Sequence, residues 1–168
     1  KLSADGSIDT SEYAAMCDRA LARYPKAEYA AVTLRESRSA DSNGWSAMLA
    51  SHKTALVSRK YSITDIVDRV GAGDSFSAGL IYGLINFKDD AQKALEHAVA
   101  LSCLKHTISG DFALIEPGEA QKLMGGDASG RDHGPRPWSR ARPGTRARAE
   151  SRARTRPDRA GPRFNRSY

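Results

Sequence analysis

Asp68-Arg69-Val70-Gly71-Ala72-Gly73-Asp74-Ser75-Phe76 is the stretch whose residue types and spacing point most directly to chemistry. Two glycines around one alanine let the backbone take turns closed to bulkier residues, and the uncharged run 75–87 follows at once. That pattern predicts a tight loop opening into a helix. The first amides of a helix lack intrahelical partners and sit at its positive end, so the N–H groups of Gly71, Ala72 and Gly73 are expected to converge on an anion such as a phosphoryl group. Asp74 is the odd residue there, because a fixed carboxylate repels phosphate unless the reaction needs a base. Phosphoryl transfer to a hydroxyl does need one: the carboxylate takes the hydroxyl proton while the amides stabilise the transferring group. The alternative is that Asp74 only caps the helix, as Asp often does. A P-loop would need a Gly-Lys-Ser/Thr ending, and no lysine follows before Lys88. A dinucleotide fingerprint would need a third glycine where Phe76 stands.

Such a turn needs elements to hold it. Tyr13, Met16, Cys17, Ala20, Leu21 and Tyr24 recur at three- and four-residue steps, predicting a helix with Asp9 and Glu12 at capping-box spacing and Pro25 as its stop. Residues 29–34, Tyr-Ala-Ala-Val-Thr-Leu, form a compact apolar run of the kind found in buried parallel strands. Helix followed by buried strand indicates an α/β fold. Residues 45–50 and 54–57 read as two short strands joined by a polar hairpin loop, with Trp45 taken as core in preference to a base-stacking platform. Phe76, Leu80, Ile81, Leu84 and Ile85 make a helix apolar nearly all round, with Gly79 and Gly83 on one face for close packing. Asp89 and Gln92 stand at capping spacing before a second, small-residue helix that ends near His106. An adenine slot between these two helices, lined by Ala98 and Ser102, is one reading of their small residues, and plain packing is the preferred one. Residues 116–124 predict a last short helix.

Composition splits the chain. Residues 1–130 carry 14 Lys+Arg and 17 Asp+Glu, whereas 131–168 hold 12 Arg, no Lys and three acids, so the overall charge of +6 belongs to the second stretch. The division expected is therefore 1–130 as the globular part and 131–168 as a disordered Arg/Pro-rich tail, too poor in large apolar residues to offset its ordering entropy. The tail reads either as a binder of nucleic acid or acidic surfaces, or as a shifted reading frame of GC-rich coding sequence, the latter being preferred. No charged-then-apolar leader precedes the first helix and the run 75–87 is too short to span a bilayer, so the chain reads as soluble, with no membrane partner. Cys17 and Cys103 are far apart and match no metal or disulfide spacing, which suits a cytoplasmic location and places both in the core. The four histidines, at 52, 97, 106 and 133, show no ligand spacing, and none is assigned to catalysis.

Gly71-Ala72-Gly73-Asp74 preceded by Asp68 resembles the C-terminal signature of the ribokinase-like sugar kinases, the phosphofructokinase-B family. The strings around it, Val32-Thr33-Leu34-Arg35-Glu36-Ser37, Asn43-Gly44-Trp45-Ser46 and Lys105-His106-Thr107-Ile108-Ser109-Gly110-Asp111-Phe112, are similar to the subgroup acting on 2-keto-3-deoxygluconate. The resemblance covers roughly residues 8–130. It implies the C-terminal part of a three-layer α/β/α sandwich with a mainly parallel sheet, and ATP-dependent transfer of the γ-phosphoryl group to a sugar hydroxyl. In its terms Asp74 is the base that also contacts the sugar, and Gly71, Ala72 and Gly73 are the anion hole. Thr33 and Arg35 bind nucleotide phosphates, although the family more often has glycine at the position of Arg35. Asp68 helps to build a monovalent-cation site, completed by carbonyls of 107–111, and Arg69 pairs with a substrate carboxylate or else with a surface partner. The cofactors implied are ATP and Mg²⁺, with K⁺ as a further candidate. A homo-oligomer, another sugar such as ribose or fructose, and a non-catalytic nucleotide-binding module are left open. The family's diglycine motif, sugar-contacting lid and Asn-x-x-Glu do not occur before Asp68, so the resemblance carries over the nucleotide side and the base without the sugar side, and leaves open turnover by this chain alone.

Overall fold

The computed structural model describes residues 9–37 and 42–126. The chain divides into two units, 1–133 and 134–168, and everything described belongs to the first. The basic stretch 131–168, with its tail and reading-frame interpretations, lies outside the described residues.

Helix α1 (Thr10–Arg23) starts on Asp9, whose carboxylate accepts the Ser11 N–H at 2.9 Å and the Ser11 hydroxyl at 2.6 Å. Those bonds hold the Asp9 carboxyl below its usual range. The helix buries Cys17 and Leu21. Strand β1 (Tyr29–Ser37) then runs antiparallel to β2 (Ser42–Ser51), with Tyr29 opposite Ser51 and Arg35 opposite Trp45. On its other side β2 pairs with β3 (Ala55–Val57) and β4 (Tyr61–Thr64), both antiparallel. β2 is thus the central strand and is buried from Asn43 to Ala50. The expected mainly parallel sheet is not what the described residues form. Successive strands here follow one another through short links, whereas parallel neighbours need a crossover of a dozen or more residues, usually a helix.

Alternation along the strands sorts the side chains into two cores. Leu34, Met48 and Ala50 face α1 and pack with Cys17 and Leu21. Trp45, Ala47, Leu49, Tyr61 and Ile63 face the opposite way, toward Leu95, Ala98, Val99 and Leu104 of α3 (Ala91–Lys105). The result is helix, sheet, helix: an α/β fold, as the helix-then-strand order predicts, in the layering that the resemblance implies.

The second helical layer is built around α2 (Ala72–Asn86) and α3. A Cβ on Gly83 would stand 2.7 Å from the Ala94 Cα, and one on Gly79 would stand 3.0 Å from the Ala98 Cα. Both glycines are therefore required by close helix contact. α3 is capped by Asp90, which accepts the Lys93 N–H at 2.8 Å, and not by the expected Asp89, whose φ of 64° places it in the left-handed turn before the helix. α4 (Pro117–Gly125) begins with the Glu119 carboxylate accepting the Glu116 N–H at 2.9 Å, and its far end is held by Arg59, which donates to the carbonyls of Met124 and Gly126. Both cysteines are buried, and among the described residues neither is in a disulfide. Among the described residues no helix is long and apolar enough to cross a membrane.

Candidate active site

The loop-to-helix turn forms as its glycines predict, but the helix starts three residues earlier than the apolar run suggests. Gly71 is the N-cap of α2, in the left-handed region at φ 78°, and the Asp111 backbone passes where its Cβ would be. Ser75 makes the first helical bond, its N–H donating to the Gly71 carbonyl at 2.9 Å, and its hydroxyl reaches the same oxygen at 2.7 Å. The amides ahead of that bond have no helical partner. Those of Gly71, Gly73 and Asp74 have no protein acceptor among the described residues, while the Ala72 N–H turns back to the Arg69 carbonyl at 3.3 Å. The expected trio of Gly71, Ala72 and Gly73 is thus modified: Ala72 is the inward member, with its side chain buried, and the Asp74 amide takes its place.

Asp74 stands exposed in the first turn of α2. It does not cap the helix, because the N-cap position belongs to Gly71, so the capping alternative falls away. A Cβ on Gly73 would meet nothing within 4 Å. The missing side chain therefore leaves open space beside the free amides, which is what an approaching anion needs. Thr33 lies midway along β1 and not at its end as expected, because the strand runs on to Ser37, and it lines the same cavity of about 510 Å³ as Gly73, together with Ser77 and the apolar side of α2.

Asp68 clips two loops together. One carboxylate oxygen accepts the Val70 N–H at 3.0 Å and the other accepts the Gly110 N–H at 2.9 Å, and these bonds hold its carboxyl below the usual range. The His106 carbonyl accepts the amides of both Val67 and Asp68. Lys105, fully buried, donates to the Ile108 carbonyl at 3.0 Å. The Asp68 carboxylate and the loop carbonyls expected to cage a K⁺ ion are thus partly engaged already, with an ammonium among their donors. A monovalent cation there would compete with those bonds, so the residues present do not fit one well. Among the described residues no group of three His, Cys, Asp or Glu side chains is assembled for a metal.

Arg35 and Arg69 come to the same neighbourhood from different elements. His106 is pushed below its ordinary pKa chiefly by burial, opposed by donation of its Nδ1–H to the Ser102 carbonyl at 2.8 Å, and the charges of Lys105, Arg69 and Arg35 add to the depression. The charges of all three cations thus bear on the His106 ring. Trp45 is core, its ring edge-on to His106 at 4.8 Å. Ala98 and Ser102 are fully buried, and Ser102 donates its hydroxyl to the Ala72 carbonyl at 2.8 Å, so the two helices pack there and form no adenine slot.

Three contributions were not apparent in the sequence: Lys105, the Ser102 hydroxyl, and the Asp111 backbone over Gly71. For Lys105 a signal existed, since it follows Ala98 and Ser102 at helical steps of four and three and so shares their buried face.

With this geometry in place, similarity can be given weight. Residues 39–114 match the pfkB family carbohydrate kinases. A 2-dehydro-3-deoxygalactonokinase of Haloferax volcanii is 35% identical over 81 residues, covering 48% of this chain and 25% of that protein. The crystal structure of a 2-dehydro-3-deoxygluconokinase from Thermotoga maritima superposes with a TM-score of 0.64 at 45% identity, covering 69% of this chain and 35% of that one. A PfkB family carbohydrate kinase from Listeria grayi gives a TM-score of 0.60 at 29% identity, with coverage of 71% and 36%. The chain therefore spans about a quarter to a third of the length of these relatives. The pfkB segment contains the whole turn from Asp68 to Asp74 and the loop clipped to it.

Proposed function

We propose that this pfkB chain forms the nucleotide and base side of an ATP-dependent kinase for a 2-dehydro-3-deoxy sugar acid, with 2-keto-3-deoxygluconate as the favoured acceptor. The observation that carries this reading is the junction itself: an exposed carboxylate, Asp74, one residue from amides left without protein acceptors at a helix N-terminus. The γ-phosphoryl group rests on the amides of Gly71 and Gly73, with Ala72 shaping the turn between them. The Thr33 hydroxyl and the Arg35 guanidinium hold the nucleotide phosphates. The acceptor hydroxyl oxygen bonds to the γ-phosphorus as the bond to the β–γ bridging oxygen breaks, and its proton passes to Asp74. Mg²⁺, when bound, supplies neutralisation of the phosphate charge. Asp68 acts by clipping the loops that shape the cradle. Arg69 pairs with the sugar carboxylate, in keeping with the acid substrates named for two of the relatives.

Asp74→Asn tests the role of the base. In an active kinase carrying this segment, turnover should fall by about 10²- to 10⁴-fold with ATP affinity retained; a fall of less than tenfold would show that Asp74 is not the base. The partial span favours one second reading, a nucleotide-binding module without turnover. Calorimetry of ATP·Mg²⁺ with the full chain, run beside a phosphoryl-transfer assay on 2-keto-3-deoxygluconate, separates the two: binding with transfer supports the kinase, and binding without it the module.

A further inference from the structure

Lys105 is the last residue of α3, and it is fully buried. A basic residue at a helix C-terminus is ordinary, because it meets carbonyls left without helical partners, but such residues usually keep their charge in water. Here the stem carries the ammonium inward. Its Nζ donates to the Ile108 carbonyl at 3.0 Å, while the Lys105 carbonyl accepts the Ile108 N–H at 3.0 Å, so one residue binds both polar groups of the same loop position. That loop holds the anion cradle in place. Its Gly110 N–H donates to the Asp68 carboxylate at 2.9 Å, the His106 carbonyl at its start accepts the amides of Val67 and Asp68, and its Asp111 backbone lies over Gly71, the N-cap of α2. The amides of Val70 and Gly110 are the main cause of the lowered Asp68 carboxyl, and the Lys105 charge adds to them. Burying a charge is costly unless oxygen partners replace its water. A buried ammonium with such partners at this junction marks a place where the fold uses positive charge.

We propose that Lys105 is a positioning residue that takes the place of a monovalent cation: its tethered ammonium fixes the 106–111 loop against Asp68, and through it the turn at Gly71, so that the cradle forms without K⁺. Asp68 and the carbonyls of 107–111 are the groups from which a cation site is expected, and the carbonyl that Lys105 takes, Ile108, belongs to that set. An ammonium carries the same charge as K⁺, is close to it in size, and is satisfied by the same carbonyl oxygens. The two differ in how they are supplied. A free ion fills its site only in proportion to its concentration, whereas a lysine at a helix end is always present. The effect on nucleotide rests on reading the amides of Gly71 and Gly73 as a phosphate cradle. The replacement of K⁺ rests on the loop geometry alone.

The test uses the full 168-residue chain in buffers whose only monovalent cation is choline, K⁺ or NH₄⁺, at matched ionic strength. For the unaltered chain the thermal midpoint should be the same in all three, and the calorimetric ATP·Mg²⁺ affinity should agree to within about twofold. A larger gain in K⁺ overturns the proposal. Lys105→Ala removes the ammonium and most of its stem. In choline it should lower the midpoint and weaken ATP·Mg²⁺ binding by at least about tenfold, the loss expected for a charge-assisted hydrogen bond. K⁺ or NH₄⁺ should restore both, since either ion fits the space left behind and choline does not. A folded Lys105→Ala chain that loses neither, or that K⁺ and NH₄⁺ fail to rescue, shows Lys105 to be ordinary packing and overturns the proposal. Should Lys105→Ala fold in none of the buffers, Lys105→Gln decides: it keeps a donor for Ile108 and loses only the charge, and should bind ATP·Mg²⁺ at least about tenfold less tightly, unchanged binding overturning the proposal. If the unaltered chain binds no ATP·Mg²⁺ in any buffer, the kinase reading falls, and the midpoints alone decide for Lys105: rescue by K⁺ supports it and its absence overturns it.

Discussion

The two sides of α2 obey different rules. Its inner side meets α3 with no space to spare: Gly79 and Gly83 sit against Ala98 and Ala94, and the Ser102 hydroxyl holds the Ala72 carbonyl. Its outer side carries two exposed isoleucines, a cavity and a carboxylate. One helix thus serves as a fixed wall in one direction and as an open working surface in the other. Packing thus fixes the amides of the first turn from the inner side, while the residues of the outer side touch little.

The comparison can be broken most severely at Gly71. Gly71→Ala forces an L side chain into the left-handed region and against the Asp111 backbone. It should destabilise the chain by about 3 kcal/mol, as strain and overpacking add, read as a lowered denaturant midpoint. Next comes the inner side. Gly83→Ala drives a methyl into Ala94 and should cost about 1–2 kcal/mol, overpacking outweighing the helix propensity gained.

A pH titration sharpens the contrast further. His97 and His106, both buried behind the wall, have pKa values pushed below 6.5 chiefly by burial. The unfolded chain therefore takes up their protons more readily than the folded one. Stability should be fully present above pH 6.5 and decline as the pH falls below it, with a second decline below about pH 4 as Asp68, depressed from 3.8 by its two amide bonds, is protonated. His97→Gln should flatten the first slope in denaturant midpoints measured between pH 8 and pH 5.

The smallest stability effect belongs to the open side. Gly73→Ala meets no neighbour and should leave stability unchanged or raised by up to about 1 kcal/mol, yet weaken ATP·Mg²⁺ binding in calorimetry. A variant that kept its nucleotide affinity would remove Gly73 from the cradle. If affinity falls instead, Gly71 and Gly73 differ in kind: one required by backbone conformation, the other by its ligand.

Much of this was legible in the chain. The helical periodicity of α1, the apolar run of β1, the glycine pair on α2 and the loop-to-helix turn before Asp74 all follow from local pattern, because period and turn chemistry act over a few residues. The rest depends on distance in sequence. Asp68 meets Gly110 across 42 positions, and nothing near either residue signals the bond. The cap on Asp90 instead of Asp89 is a choice between adjacent equals, settled by which of them takes the positive φ. The sheet's direction was misjudged because an apolar run reports burial and not the orientation of its neighbour. Whether Thr33 and Arg35 hold phosphates, as the resemblance implies, depends on a ligand that local pattern does not contain.

Amide donors and carboxylate are consecutive residues of one helical turn, so their spacing is set by the helix and by no movement of larger parts. On the kinase reading proposed above, a closing motion elsewhere would change which hydroxyl arrives and how it is aimed, but not the distance from Asp74 to the amides. On that reading, acceptor choice and transfer chemistry can diverge separately in evolution, and new sugars can be recruited without rebuilding the step that phosphorylates them.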